Sequence, residues 1–304
     1  MILVAGGSGR LGRRIVARLL ERDLAVRVLS RHPGVADGSE VGAVTADVRD
    51  PVAVARALKG VRTVVSAITG FGPGGAGPAA VDHLGNRNLI RAAREAGVEH
   101  LILVSVCNAA AIHPMELYRA KHLAEQDLLA SGLGWTIIRP TVLMETWAEV
   151  LGAPLRDTGR TRIFGRGDNP VNFVSAGDVA EVVAAAVTDP SLRGVILDVG
   201  GPENLTLRQV VSLLQEVTEK AGAVGHVPLF AMRTAAAVLS VVKPDLGRLV
   251  RAAIEMDTGE MSRAPTPGRT TFAEVARREL CGQGIGAGLR KTGEVETLPS
   301  AGSW

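Results

Sequence analysis

The first chemistry in this 304-residue chain lies in a glycine-rich turn directly behind a short apolar run, Met1-Ile-Leu-Val-Ala-Gly-Gly-Ser-Gly-Arg-Leu-Gly12. Gly7-x-Gly9-x-x-Gly12 satisfies the dinucleotide fingerprint, and Gly6-x-x-Gly9-x-x-Gly12 overlaps it with the same last two glycines. Glycine accepts a positive φ and lets backbone approach a pyrophosphate, whose charge then rests on unpaired N–H groups where a helix begins at Arg10. Ser8, Arg10 and Leu11 lie inside this turn and join Gly6, Gly9 and Gly12 as predicted cofactor contacts. An acid about 20 residues beyond the glycines would bind the ribose hydroxyls of NAD. Here the chain reads Leu29-Ser30-Arg31-His32. Arg31 can pair with a 2′-phosphate through two donors and Arg10 can approach the same group, so NADPH is expected over NADH. A solvated loop at Arg31 and His32 is the plain alternative. Asp47-Val48 closes a third strand, where the carboxylate can accept from an adenine amino group beside the backbone that holds the ring, can cap a turn, or both.

Those residues need a sheet to hold them. Strands are predicted near 2–5, 25–30, 42–46, 62–67, 99–105, 135–139 and 194–199, alternating with helices near 10–22, 51–58, 80–97, 114–131 and 178–188. The alternation predicts an α/β fold, a doubly wound parallel sheet of the Rossmann type with a smaller C-terminal substrate lobe. Helix starts are signalled by Asp50-Pro51, by Pro114 after His113, and by the capping-box spacings Ser175-x-x-Asp178 and Thr206-x-x-Gln209. Gly70-Phe-Gly-Pro-Gly-Gly-Ala-Gly-Pro78 follows the fourth strand and borders the ligand edge as a lid or as a floppy linker. The expected organisation is a cofactor core over 1–150 and a substrate lobe over 151–281, interleaved with the last core strand near 171–200. Residues 282–304 alternate glycine with little else and are expected to be a mobile tail.

With 46% apolar and 21% charged residues the composition is that of a globular protein. A net charge of +3 with scattered basic residues does not indicate nucleic acid. Cys107 and Cys281 stand far apart without CxxC or Cys/His spacing, and His83, His100, His113 and His226 form no metal pattern, so neither a disulfide nor a metal is expected. Met1 already opens the first strand, which leaves no room for a secretory signal and suggests a reducing, cytoplasmic setting. Val227–Val242 is the most apolar stretch, but Arg233 interrupts it and it is shorter than the ~20 residues of a membrane span. It is expected to be a core or substrate-lobe helix, with an interfacial helix as the alternative, and no membrane is expected.

Several further motifs follow in order: Asp82-x-x-Gly85-x-x-Asn88, Leu103-Val-Ser105, Tyr118-Arg-Ala-Lys121-x-x-x-Glu125, Trp135-Thr-Ile-Ile-Arg139-Pro140 and Asn172-Phe-Val-Ser-x-x-Asp178-Val-Ala180. Together with the glycine turn and Asp47 they resemble the short-chain dehydrogenase/reductase superfamily, and within it the atypical, NmrA-like branch, over residues 1 to about 280. The resemblance implies a Ser, a Tyr and a Lys as the chemical set, with the Tyr four residues before the Lys. The phenol donates a proton to a developing alkoxide while the ammonium lowers its pKa and holds the nicotinamide ribose. Here Leu117 stands four before Lys121, and the tyrosine is Tyr118, about 100° round the helix. Three readings stay open: Tyr118 serves after a local helix shift, Lys121 acts alone, or cofactor binds without turnover. For Lys121 the plain alternative is an exposed lysine paired with Glu125. Ser105 is the implied substrate-polarising hydroxyl or a turn hydroxyl, Asn108 an assisting donor, and Cys107 a packed thiol. Ala67 at the end of strand four and Pro140 at the end of strand six complete the implied cofactor contacts. Trp135 reads as core, while Met144, Trp147, Phe164, Phe173, Phe230 and Met232 could line an apolar pocket or pack as core.

Two function classes follow from the resemblance. The first is an NADPH-dependent oxidoreductase that reduces a small, mostly apolar carbonyl, enone or quinone. The second is an NmrA-type sensor that binds NADP(H) without turnover and passes its redox state to a protein partner. An epimerase or dehydratase is a third, for which the second lobe shows no basic cluster to hold a sugar nucleotide.

Overall fold

The computed structural model describes residues 1–31, 41–262 and 267–282. The elements run β1 (Ile2–Ala5), α1 (Arg10–Leu20), β2 (Val26–Ser30), β3 (Val41–Thr45), α2 (Pro51–Ala57), β4 (Thr63–Ser66), α3 (Leu84–Glu95, entered through a π-helical turn over Ala79–His83), β5 (His100–Val104), α4 (Glu116–Leu129) and β6 (Gly134–Pro140). They continue as β7 (Val142–Leu143), α5 (Met144–Trp147), α6 (Ala153–Thr158), β8 (Arg160–Phe164), β9 (Val171–Val174), α7 (Ala176–Thr188), β10 (Val195–Val199), β11 (Asn204–Leu205), α8 (Leu207–Thr218), β12 (Ala223–Val227), α9 (Leu229–Val242), α10 (Pro244–Thr258) and α11 (Phe272–Leu280).

Seven parallel strands form the central sheet in the order β10-β6-β5-β4-β1-β2-β3. Period-two alternation divides each strand between two apolar layers. Leu3 and Ala5, with Leu101 and Leu103, pack on Val54, Leu89 and Leu128 of α2, α3 and α4. Ile2 and Val4, with Ile102 and Val104, pack on Ile15 and Leu19 of α1 and Val179 and Val183 of α7. Each fully buried Leu, Ile or Val contributes about 1.5–3 kcal/mol, more than the helix propensity term of any residue but proline, so the layers hold the helices against the sheet. Ala5 is level with Leu29 on one side and Ser66 on the other. The strands therefore end together, and the turns after β1, β2 and β4 leave from one edge.

A second core joins Met144, Leu151, Ile163, Phe173, Leu214, Met256 and Phe272, with Phe173 and Phe272 edge to face at 5.5 Å. It carries the two-stranded β12-β8 sheet and the three-stranded β11-β9-β7 sheet, while α7 and β10 return to the cofactor core.

Helix ends follow their local chemistry, with two departures. Asp50 caps α2 through Val52 N and Ala53 N ahead of Pro51, and Thr206 closes a capping box with Gln209. Pro114 is not in the first turn of its helix: Met115 is the cap of α4, and its N–H donates to His113 Nδ1 at 3.1 Å. Ser175 caps α7 through Gly177 N, but Asp178 does not close a box, because its carboxylate accepts from Arg269 N, Thr270 N and Thr270 Oγ1. The segment Val227–Val242, expected to be a core or substrate-lobe helix, is largely exposed: α9 buries Met232 and Ala236 only, and leaves Phe230 74% and Val241 84% accessible. Its apolar composition does not decide burial, since it packs chiefly on α10. No helix among the described residues is long and apolar enough to cross a membrane. His32 and all of the predicted mobile tail beyond Gly282 lie outside the described residues.

His100, at the amino end of β5, gives the fold an acid-sensitive point. It is 1% exposed, and its Nε2 donates to Thr136 Oγ1 at 2.9 Å, whose hydroxyl in turn donates to Leu192 O. Nδ1 has no partner among the described residues. Burial, with the charge of Arg193 adding to it, lowers the pKa from 6.5 to about 4. The unfolded chain therefore binds this proton first, so the stability present above pH 6.5 is expected to fall as pH drops toward 4. His100→Gln should lose less stability than wild type between about pH 7 and pH 5 in urea titrations. Identical losses in the two proteins would remove His100 as the cause.

Candidate functional site

The turn after β1 is shaped by three steric demands. Gly6 has φ +80°, and a Cβ there would fall 2.7 Å from Ala67 O, so the ends of β1 and β4 meet backbone to backbone. A Cβ on Gly12 would overlap Gly6 O and approach Gly7 Cα, which fixes how closely α1 approaches the turn. Gly9 N closes the turn on Gly6 O at 2.9 Å. Positive φ falls on Gly6, so the tight turn follows the Gly6-x-x-Gly9-x-x-Gly12 spacing; Gly7 is needed for another reason, the proximity of Val28.

α1 begins at an N-cap, Gly9, with no side chain to cap it and no acid in its first turn. Arg13 N is the first amide to find a backbone acceptor, Gly9 O, and the amides of Arg10, Leu11 and Gly12 have none among the described residues. Three open donors at a helix start, beside a turn that excludes side chains, fit the phosphates of a dinucleotide.

Ser8 Oγ lies 2.6 Å from Ser30 Oγ and ties the turn to the end of β2, where Arg31 is exposed. Asp47 is engaged by its neighbour: Oδ1 accepts from Arg49 N at 2.9 Å, and the Arg49 guanidinium grips both oxygens. That hydrogen bond holds the Asp47 carboxyl below its ordinary range, and the charge of Arg31 adds a smaller push in the same direction. Two arginines and one aspartate leave this corner positive. Arg10, the other arginine read toward a 2′-phosphate, is turned to the second lobe, where it binds Glu149 and Thr146 Oγ1. A contact from Arg10 to that phosphate would require it to leave Glu149.

Asp82, Gly85 and Asn88 have separate reasons for their spacing. Asn88 Nδ2 donates to Val48 O at 2.9 Å, and a Cβ on Gly85 would meet Val48 Cγ2 at 2.8 Å. Asp82 Oδ2 accepts from Gly70 N at 2.8 Å, and Oδ1 lies 3.2 Å from Lys121 Nζ. Lys121 is only 5% exposed. Its Nζ donates to Ile68 O at 3.0 Å and Val104 O at 2.9 Å, which bolts together the ends of β4 and β5. The exposed Lys121–Glu125 pair is thereby corrected: Glu125 is fully buried and held by both arms of Arg139, at 2.9 and 2.6 Å.

Tyr118 is 5% exposed, with no hydrogen bond to its hydroxyl among the described residues. Its ring stacks on His113 with centroids 4.0 Å apart and planes 10° from parallel. Burial pushes its pKa upward, opposite to the lowering that a lysine beside a catalytic phenol provides. Leu117 packs in the same cluster with Phe71, Val106, Met115 and Ala252. Ser105 is buried at the end of β5, its N–H donating to Ile138 O at 2.7 Å while Oγ has no partner among the described residues. A buried orphan hydroxyl at a ligand edge fits a group that a ligand completes. Cys107 donates to Arg139 O at 2.9 Å and burial pushes its thiol up to about 12, a packed cysteine as expected. Asn108 takes φ +61° and reaches Glu260 O, while Pro140 O at the end of β6 accepts from Cys107 N at 2.9 Å.

The glycine-rich loop after β4 makes contacts within itself and to α10. Gly77 N donates to Gly70 O, Gly74 N donates to Asp245 Oδ2 at 3.0 Å, and the Arg248 guanidinium of α10 lies over Gly77. α10 thus adjoins both this loop and, through Ala252, the Tyr118 cluster. The predicted apolar pocket does not assemble: Met144 and Phe173 are second-lobe core with Trp147 against them, Phe230 is exposed, and Phe164 lines an outer cleft of about 530 Å³. Trp135 packs against the sheet core, as read from the sequence. His113 and Asp82 are absent from the predicted site residues: Asp82 connects the loop after β4 to α4, and His113 fastens the connection after β5 to the start of α4. Only the Asp82-x-x-Gly85-x-x-Asn88 spacing gave a local sign of either.

Comparison with known proteins agrees with this geometry. A family model described as NAD(P)H-binding matches residues 6–190. The chain is 32% identical over 241 residues to (4-alkanoyl-5-oxo-2,5-dihydrofuran-3-yl)methyl phosphate reductase of Streptomyces griseus, covering 77% of this chain and 80% of that protein. It is 30% identical over 218 residues to an NAD(P)H azoreductase of Xenophilus azovorans, covering 70% and 72%. A crystal structure of an NADPH-dependent quinone oxidoreductase of Escherichia coli with NADPH shares the fold, with a TM-score of 0.71 and 23% identity over 91% of this chain and 98% of that one.

Proposed function

The chain belongs to the NAD(P)H-binding family, and from that premise we propose that it is an NADPH-dependent oxidoreductase of the atypical short-chain dehydrogenase type, reducing a small apolar carbonyl, enone or quinone in the cytoplasm. The observation that carries reduction, beyond cofactor binding alone, is the unpartnered Ser105 hydroxyl on the same sheet edge as the uncapped amides of α1. Two relatives named as reductases support the reading.

In this reading the amides of Arg10, Leu11 and Gly12 hold the pyrophosphate and Arg31 holds the 2′-phosphate. When bound, the reduced nicotinamide supplies a hydride. Ser105 Oγ donates to the substrate oxygen and so draws electron density from the carbon that is reduced. Lys121 ties the floor between β4 and β5 through Ile68 O, Val104 O and Asp82, so a contact from it to a ribose would require its ammonium to give up one of these partners.

Titration with NADPH and NADH, followed by an absorbance screen at the reduced-nicotinamide band against quinones and carbonyls, tests the reading. Arg31→Ala is expected to weaken NADPH by about 10- to 100-fold, the worth of a charge-assisted contact of ~1.5–3 kcal/mol, and to change NADH by less than about 3-fold. Equal losses for both would place the 2′-phosphate elsewhere.

A second reading, an NADP(H)-binding sensor that acts on a protein partner without turnover, is favoured by Leu117 at the usual tyrosine position and by the burial of Tyr118. It expects tight, discriminating cofactor binding and no oxidation across the whole panel.

A further inference from the structure

We propose that His113 supplies the hydrogen bond to the substrate oxygen that Leu117 cannot supply, with Tyr118 as the platform that positions it. This rests on the reductase reading. The N–H of Met115 points its hydrogen at His113 Nδ1, 3.1 Å away, so Nδ1 must present its lone pair. The ring proton of the neutral imidazole is then on Nε2. Nε2 has no acceptor among the described residues. Parallel stacking on Tyr118 at 4.0 Å fixes the plane of the ring, and Arg119 Nη1 binds His113 O and so fixes the backbone beneath it. One nitrogen is therefore locked as acceptor and the other is offered as a donor.

The position suits that role. His113 lies in the connection between Ser105, at the carboxyl end of β5, and the first turn of α4. The ring below it belongs to the cluster of Phe71 from the loop after β4, Val106 after β5 and Ala252 of α10. In an open α/β sheet this carboxyl edge is where ligands bind. Burial also lowers the pKa of His113, against the charge of Glu255, which keeps the imidazole neutral. A neutral imidazole with its proton on Nε2 polarises a carbonyl by donating that hydrogen bond to its oxygen. The electron count is simple. A hydride from the reduced nicotinamide adds to the electrophilic carbon, the π pair moves onto oxygen, His113 Nε2–H stabilises that oxyanion and keeps its proton, and a proton from water completes the product.

The test compares wild type, His113→Phe and His113→Gln in the full chain, using whichever panel quinone or carbonyl wild type reduces fastest. His113→Phe keeps a ring on Tyr118 but has no donor; His113→Gln keeps both an acceptor for Met115 N and a donor. His113→Phe is expected to lower kcat by about 100-fold, as loss of one oxyanion donor does, with NADPH affinity within about 3-fold. His113→Gln should recover about 10-fold of that loss and serves alone if His113→Phe does not fold. ¹⁵N spectra of the six histidines should show His113 as the Nε2–H tautomer. A kcat for His113→Phe within about 3-fold of wild type, or an Nδ1–H tautomer, overturns this inference while the reductase reading stands. A wild type that turns over nothing in the panel overturns the reductase reading and this inference together.

Discussion

Lys121→Met is expected to destabilise the fold by about 3–5 kcal/mol, the cost of removing one partner from a buried ion pair. The side chain lies under the ends of β4 and β5, and Asp82, fully buried, keeps only Gly70 N when the ammonium is gone. Two carbonyls, Ile68 O and Val104 O, lose their donor at the same moment. Methionine nearly fills the volume, so the loss reports charge and hydrogen bonding, not a cavity. Adding Asp82→Asn should recover part of it, because a neutral amide can still accept from Gly70 N without leaving a charge in the interior. Urea titrations of the two single variants and the double variant measure this coupling. A loss below about 1 kcal/mol for Lys121→Met would be that of an exposed lysine and would contradict the buried tie.

The same lysine shows where the sequence is legible and where it is not. The continuous apolar runs at Ile2 to Ala5 and Leu101 to Val104 are local, so the strands could be read before any contact was known, and their alternation with helical segments pointed to a parallel sheet. The glycine turn was legible for the same reason: its clashes are between residues six apart or fewer, apart from Ala67, Ile68 and Val28. The partner of Lys121 was not, because Glu125 is the neighbour that helix spacing suggests, whereas Asp82 comes from the π-helical turn before α3. Arg10 was read toward a phosphate by proximity to the glycines, yet it reaches Glu149, 139 residues on. The start of α4 slipped past Pro114 because His113 Nδ1 satisfies the Met115 amide, a cap that sequence rules for Ser, Thr, Asp and Asn do not include. The exposure of α9 was hidden by its composition: fourteen mostly apolar residues read the same whether one face or all faces are covered.

Gly12→Ala is expected to weaken NADPH by about 100-fold or more while the sheet remains folded. One methyl is added, but it lands against Gly6 O and Gly7 Cα, which are backbone atoms on a turn with no side chain able to move aside. Either α1 retreats or the turn opens, and in both cases the amides of Arg10, Leu11 and Gly12 lose their common focus. Related substitutions separate this from the general cost of replacing glycine. A Cβ on Gly9 would stand 3.2 Å from Gly6 O, a contact that a small shift relieves, so Gly9→Ala should bind NADPH with an intermediate loss. Gly42, on β3, has nothing nearer than 3.9 Å, and Gly42→Ala should leave binding unchanged. Fluorescence titration of NADPH, with circular dichroism to confirm the fold, gives the ranking. If Gly12→Ala binds within about 3-fold of wild type, the cofactor does not rest on these amides, and the sheet edge between β1 and β4 is not its seat.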